Sequence, residues 1–267
     1  MDKNQQDEIR TSVRQHYGSI AQAPSSGCGC GTSPCCESEQ PTLFTDYAEK
    51  IGYSPDELLQ IPEGSNLGLG CGNPTAIASL RPGEAVLDLG SGAGFDCFLA
   101  AKQVGEDGFV IGVDMTPEML SKARQNAAKG AFTNVEFRLG EIEHLPVGDA
   151  SIDVTISNCV INLSPDKKKV FAEAFRVLKP GGRLAVSDII TTADLPDHIR
   201  NDLALYAGCV SGAASLNEIE SFLRQVGFEH IRITPKESSR EFIREWAPEL
   251  GIERFTVSAN IEAVKPK

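Results

Sequence analysis

The stretch Val86-Leu87-Asp88-Leu89-Gly90-Ser91-Gly92-Ala93-Gly94-Phe95-Asp96 limits the fold more than any other part of the chain. An apolar run suited to a buried strand enters a glycine-rich turn, and the turn opens an amphipathic helix carrying Phe95, Phe98, Leu99 and Ala101. Glycines at 90, 92 and 94 permit a tight turn and leave no Cβ between the main chain and a ligand. The free N–H groups of the new helix then face that ligand. The alternation continues from Glu84 to about Ser187. Strands are expected near 85–89, 109–114, 134–138, 152–158 and 182–189, with helices near 95–104, 117–129 and 166–178. That order predicts an α/β fold, a doubly wound parallel sheet with helices on both faces.

Two features bear on the ligand. The turn is spaced G-x-G-x-G, not the G-x-G-x-x-G of dinucleotide sites, and Asp88 stands two residues before its first glycine. A carboxylate there attracts a cationic amino group and repels a pyrophosphate. The next strand ends on Asp114, placed to accept both hydroxyls of a ribose, a feature that NAD enzymes share. Gly140-Glu141-Ile142-Glu143-His144-Leu145-Pro146 follows the third strand and offers a carboxylate for an adenine amino group. Together these motifs resemble the series found in class I S-adenosylmethionine (SAM)-dependent methyltransferases. The resemblance implies a seven-stranded Rossmann-like sheet. It also implies cofactor contacts at Asp88, Gly90, Gly92, Gly94, Asp114, Met115, Glu141, Ile142 and Asn158.

The flanks add to this core. Residues 7–21 carry Ile9, Val13, Tyr17 and Ile20 near helical spacing, and 23–41 read as a loop rich in Gly, Ser, Pro and Cys. Ser54-Pro55-Asp56-Glu57 is a capping box for a short helix, and Gly64–Pro74 is a second glycine-rich loop. Past residue 195, helices near 196–207 and 215–226 precede strands near 228–235 and 254–264, with a helical insertion at 237–251. The expected division is therefore an N-terminal helical and Cys-rich loop extension (1–75) and a SAM-binding Rossmann-like core (76–195). Substrate-lid helices and strands completing the sheet follow (196–267).

Composition narrows the partners. A net charge of −12 over 267 residues argues against a nucleic acid, whose recognition rests on Lys and Arg. No apolar run approaches the roughly eighteen residues of a transmembrane helix. The polar, acidic N-terminus is no signal peptide, so a cytoplasmic location and no membrane partner are expected. Eight cysteines in such a chain point to ligands or reactive thiols more than to structural disulfides. Cys28, Cys30, Cys35 and Cys36 crowd one segment, and their spacing matches no common structural zinc site.

Ligands of an open parallel sheet bind beyond the carboxyl ends of its strands. The fourth strand ends at Ser157-Asn158-Cys159, which places Cys159 over the cofactor, and the segment after the fifth strand carries Tyr206-Ala207-Gly208-Cys209. Two distant thiols are thus expected to meet where a methyl group is delivered, whereas Cys97, on the apolar face of the first core helix, reads as a small buried hydrophobe. Four stretches, Tyr17-Gly18, Gly70-Cys71-Gly72-Asn73-Pro74, Ser157–Leu163 and Tyr206–Ala213, are similar to those of the arsenite methyltransferases. This resemblance runs over nearly the whole chain. It implies trivalent arsenic (arsenite and methylated arsenicals) bound by Cys159 and Cys209, with methyl transfer from SAM to the arsenic lone pair. It further implies a thiol relay of Cys71 with Cys36 or its neighbour Cys35, reset by reduced thioredoxin or a small thiol such as glutathione. For such a relay, Cys71 and the N-terminal cysteines are expected on loops free to move, outside the sheet core. A methyltransferase of a small organic substrate such as a quinone precursor, or a metalloid-binding protein without turnover, are the alternatives.

Overall fold

The computed structural model describes residues 2–23 and 40–267; Cys28, Cys30, Cys35 and Cys36 lie outside the described residues. Helix α1 (Lys3–Gln22) starts four residues before its expected onset. The Asp2 side chain accepts the Gln5 N–H at 2.9 Å and the Gln5 side chain accepts the Asp2 N–H at 3.1 Å, so the first turn is capped from both sides. Helix α2 (Gln40–Ile51) follows, a helix the sequence reading did not anticipate. Then come α3 (Pro55–Leu58), under its Ser54–Glu57 capping box, and α4 (Pro74–Ala78), capped by Asn73.

The core alternates as expected: β1 (Ala85–Leu89), α5 (Phe95–Val104), β2 (Phe109–Asp114), α6 (Pro117–Lys129), β3 (Val135–Leu139), β4 (Ile152–Asn158), α7 (Lys167–Val177) and β5 (Leu178–Thr191). The C-terminal part holds α8 (Asp197–Arg200), α9 (Leu203–Ala207), β6 (Ala214–Ser215), α10 (Leu216–Val226), β7 (Glu229–Lys236), α11 (Arg240–Trp246) and β8 (Thr256–Val264). The strands form one sheet in the order β3-β2-β1-β4-β5-β8-β7, with the two-residue β6 paired to β5. Strands β1 to β5 are parallel, and β8 lies antiparallel between β5 and β7. The order reverses at β1/β4, which opens a crevice beyond their carboxyl ends. Strand β5 starts earlier than the sequence suggested, because Leu178 already pairs with Ile152 across a register shift, and Gly181 at φ +80° lets the strand bend through it.

Both sheet faces are buried, as a parallel sheet requires. Leu87, Leu89, Ile111 and Phe171 pack on one side, and Val86, Val110, Ile156 and Phe98 on the other. A third apolar cluster sits over the crevice and draws on every part of the chain: Val13, Tyr53, Cys71, Cys159, Cys209, Ile243 and Ile252. The expected boundary at 75/76 falls inside α4, and the extension, core and C-terminal part share this one cluster. Among the described residues, no helix is long and apolar enough to cross a membrane.

Candidate active site

The β1–α5 turn sits at the crevice with Gly90, Gly92 and Gly94 all at positive φ. The three do different work. A Cβ on Gly92 meets nothing within 4 Å, so this glycine keeps the cavity wall open. A Cβ on Gly90 would strike Val160 at 2.5 Å, and one on Gly94 would strike Phe98 at 2.7 Å and Phe137 at 2.9 Å. Those two serve packing. The turn is held from the next strand: Asp114 accepts the Gly92 N–H at 2.9 Å and the Thr116 N–H at 2.8 Å. Burial raises the Asp114 pKa, although both backbone donors pull it down.

A cavity of about 470 Å³ opens over this turn. Of the expected cofactor residues, Asp88, Gly90, Gly92, Asp114, Met115, Ile142 and Asn158 line it. Gly94 and Glu141 do not. The Glu141 carboxylate instead faces Arg10 at 3.7 Å and Arg14 at 3.6 Å. Its neighbour Glu143 lines the cavity, accepting from Arg10 at 3.2 Å and from the Ser164 hydroxyl at 2.7 Å. Asp88 is buried and accepts the Cys97 thiol at 3.2 Å. Burial, then the nearby Asp96 carboxylate, pushes Asp88 up, and burial pushes Asp96 up to about 6. Cys97 is buried, as expected, its thiol pushed up by burial and then by Asp88.

Two thiols line the cavity and a third lies just behind them. Cys159 and Cys209 line it, and the Cys209 thiol donates to the Cys159 carbonyl at 2.7 Å. Cys71 lies just behind: its Sγ, the Cys159 Sγ and a carboxylate oxygen of Asp188 are all within 4.8 Å of one another. Hydrogen bonding with Cys209 and Cys71, then burial, raises the Cys159 thiol well above its ordinary range. The hydrogen bond with Cys159 pulls Cys209 down, yet burial, Asp188 and Cys71 together hold it high. Cys159 (φ +59°) and Cys209 (φ +63°) both occupy left-handed backbone, which L-residues adopt at a cost and which clusters at functional sites.

Cys71 corrects one expectation. It is not on a loop free to move: it is 1% exposed, its N–H donates to Asn158 Oδ1 at 3.0 Å and its carbonyl accepts from Ser258 Oγ at 2.7 Å. Sequence reading also missed the roof. Arg10, Val13, His16 and Tyr17 of α1, Tyr47 of α2 and Trp246 of α11 line the cavity from far along the chain. Tyr17 fastens the roof to the α9 segment by donating to the Ala207 carbonyl at 3.0 Å. The helical spacing of Phe44, Tyr47, Ala48 and Ile51 was the available signal for α2.

The donor set fits a cationic, nucleoside-bearing ligand. Among the described residues, Asp88, Asp96, Asp114 and Glu143 line the cavity against Arg10 alone among strong cations, and the Ser91 hydroxyl on its wall is buried without a protein partner. A pyrophosphate finds no counter-charge at the turn. A soft, thiol-seeking centre finds up to three sulfur ligands.

Comparison with known proteins agrees with this chemistry. A family profile described as "Methyltransferase domain" matches residues 80–227. The arsenite methyltransferase of Halobacterium salinarum is 51% identical over 266 residues, covering 97% of this chain and 67% of that protein. The arsenite methyltransferase of Aquipseudomonas alcaligenes is 40% identical over 92% of this chain and 70% of its own length. A crystal structure of an arsenic(III) S-adenosylmethionine methyltransferase from Chlamydomonas reinhardtii superposes with a TM-score of 0.60 at 34% identity. It covers 84% of this chain and 73% of that one.

Proposed function

The chain belongs to the arsenite methyltransferase family, and from that premise we infer that it moves the methyl group of SAM onto trivalent arsenic held by Cys159, Cys209 and Cys71. One observation carries the reading: three thiols separated by 88 and 50 residues in sequence meet at one end of an acid-lined cavity, two of them on left-handed backbone. A methyltransferase of a small organic substrate has no use for that cluster.

Asp88 would hold the amino group of the donor and Asp114 its ribose hydroxyls, with Gly92, Ser91, Met115, Ile142 and Asn158 completing the wall. When bound, SAM supplies a methyl group on a cationic sulfonium. The thiols do the rest. Each As–S bond forms by displacement of hydroxide from arsenous acid, the thiol proton leaving with it as water. The arsenic keeps its lone pair, and Cys159 at the end of β4 and Cys209 in the turn after α9 hold that pair at the cavity. No general base is needed for a nucleophile that carries no proton, so the chain contributes orientation and exclusion of water. The roof of Tyr17, Tyr47 and Trp246 serves the second purpose. Transfer of a methyl cation to the lone pair raises arsenic to the pentavalent state. Two thiols supply the two electrons that return it to the trivalent state, and become a disulfide. Cys36 or Cys35 is the proposed partner in that exchange, with thioredoxin or glutathione as the reductant; the resemblance of the Cys-bearing loop supports this assignment.

The test is incubation of the protein with labelled SAM, glutathione and arsenite, followed by separation of arsenic species. Labelled methylarsenicals are expected. Cys159→Ser and Cys209→Ser each abolish them while SAM affinity stays intact, because a serine hydroxyl is a hard ligand. Turnover of arsenite by either variant at the parent rate would remove the thiol site from the reading.

A further inference from the structure

The Cys71 loop is tied to the sheet by a hydrogen-bonded chain that runs behind the cavity wall from Asn158 to Asp96 and to Tyr53, a residue with no part in the cofactor or thiol assignment. Asn158, the residue before Cys159, accepts the Cys71 N–H on Oδ1 at 3.0 Å. The two hydrogens on its Nδ2 are shared among the Gly72 carbonyl at 2.7 Å, the Tyr53 hydroxyl oxygen at 2.9 Å and Asp96 Oδ2 at 3.2 Å. The Tyr53 hydroxyl in turn donates to Asp96 Oδ1 at 2.6 Å. Both Tyr53 and Asp96 are buried, at 3% and 6% exposure, and the Tyr53 ring packs edge-on against Phe95 with centroids 4.6 Å apart. The amide of Asn158 therefore has no freedom to flip. Reversal would set its NH₂ against the Cys71 N–H and its oxygen against the Gly72 carbonyl and Asp96.

The consequence lies in the spacing of the thiols. Cys159 follows Asn158 covalently, and Cys71 hangs from the same amide. The orientation of this side chain, together with the Ser258 hydroxyl on the Cys71 carbonyl, thus sets how close the two sulfurs stand. The loop allows no slack beside it, since a Cβ on Gly70 would meet the Asn158 amide at 2.9 Å and one on Gly72 would meet Ser187 at 2.7 Å. We propose that Tyr53 and Asp96 are positioning residues that lock the Asn158 amide and so hold Cys71 beside Cys159 for capture of an inorganic, three-bond arsenic centre. The proposal rests on the three-thiol reading above. It separates two substrates. Arsenite needs all three thiols, whereas methylarsenite already carries one carbon and needs two, for which Cys159 and Cys209 suffice without Cys71.

Tyr53→Phe tests this with little disturbance, since it keeps the ring against Phe95 and removes only the hydroxyl. Binding of arsenite, of methylarsenite and of SAM is followed separately by the fluorescence of Trp246, the only tryptophan, which lines the cavity. Arsenite affinity is expected to fall about tenfold, the factor for one hydrogen bond of ordinary worth, with methylarsenite and SAM affinities within about twofold of the parent. The same substitution placed on Cys71→Ser should add less than about twofold to arsenite affinity, because a residue acting through Cys71 has nothing left to position. Equal losses for arsenite and methylarsenite, an unchanged arsenite affinity, or additivity on the Cys71→Ser background would each overturn the proposal. Failure of the underlying reading looks different: Cys71→Ser itself would then bind arsenite as the parent does.

Discussion

Asp114→Ala is the perturbation whose two effects the geometry keeps apart. The carboxylate holds two backbone donors, the Gly92 N–H at 2.9 Å and the Thr116 N–H at 2.8 Å. Gly92 borders the open cavity, so water replaces the lost acceptor there at little cost. Thr116 also lines the cavity but is 2% exposed, so its N–H is the less accessible of the two and the harder to re-satisfy. One such orphan donor costs about 1–3 kcal/mol, so the protein without ligand should lose roughly 2 kcal/mol in a urea titration. Cofactor binding adds a separate loss. Removing a charged acceptor for ribose hydroxyls takes away about 1.5–3 kcal/mol, a weakening of roughly 10- to 150-fold by calorimetric titration with SAM. S-adenosylhomocysteine, which has the same ribose and no sulfonium charge, should weaken by the same factor. Asp114→Asn retains one acceptor oxygen and should fall between parent and alanine in stability. Full SAM affinity in Asp114→Ala would place the ribose elsewhere, and full stability would mean that the glycine turn holds itself.

Backbone strain gives a second expectation: at Cys209 (φ +63°), glycine should be more stable than alanine by about 1 kcal/mol in chemical denaturation, the reverse of the order at an ordinary position. Neither variant should methylate arsenite. The buried carboxylates set a pH dependence. Burial holds Asp96 and Asp188 at about 6, above the ~3.9 of an unfolded aspartate, so the folded chain binds protons that the unfolded chain has released. That stabilisation is present in acid and is lost as pH rises through about 6. Glu84, Glu136, Glu173 and Glu218 are shifted down and are already ionised by about pH 5, so they do not mask it. Thermal or urea melts of the ligand-free protein should therefore show about 1–3 kcal/mol less stability at pH 7 than at pH 5. A flat or rising profile would mean that the two carboxylates are solvated.

The core was legible because its signals are local. Apolar runs, the glycine turn and cap residues recur in fixed order, and each predicts its own element without knowledge of the others. The pairing of Leu178 with Ile152 was not, because Gly181 and Gly182 look like a break until the neighbouring strand is present to continue it. The site divides in the same way. Cys159 could be placed from the end of β4, which topology sends to the crevice, and Cys209 from the segment that follows β5. The choice between Glu141 and Glu143 depended on Arg10, more than 130 residues upstream, which takes both carboxylates into its reach and leaves only Glu143 on the cavity wall. Cys71 likewise depended on side chains far along the chain. A cysteine between two glycines reads as mobile because its own neighbours offer nothing to hold it. Its anchors are the Asn158 amide and the Ser258 hydroxyl, 87 and 187 residues away in sequence. Glycine on either side then acts opposite to the local expectation. With no Cβ at 70 or 72, the backbone lies flat against Asn158 and Ser187, and close approach rather than freedom is what those glycines provide. A thiol fixed in this way suits the proposed role of a ligand better than that of a mobile exchanger.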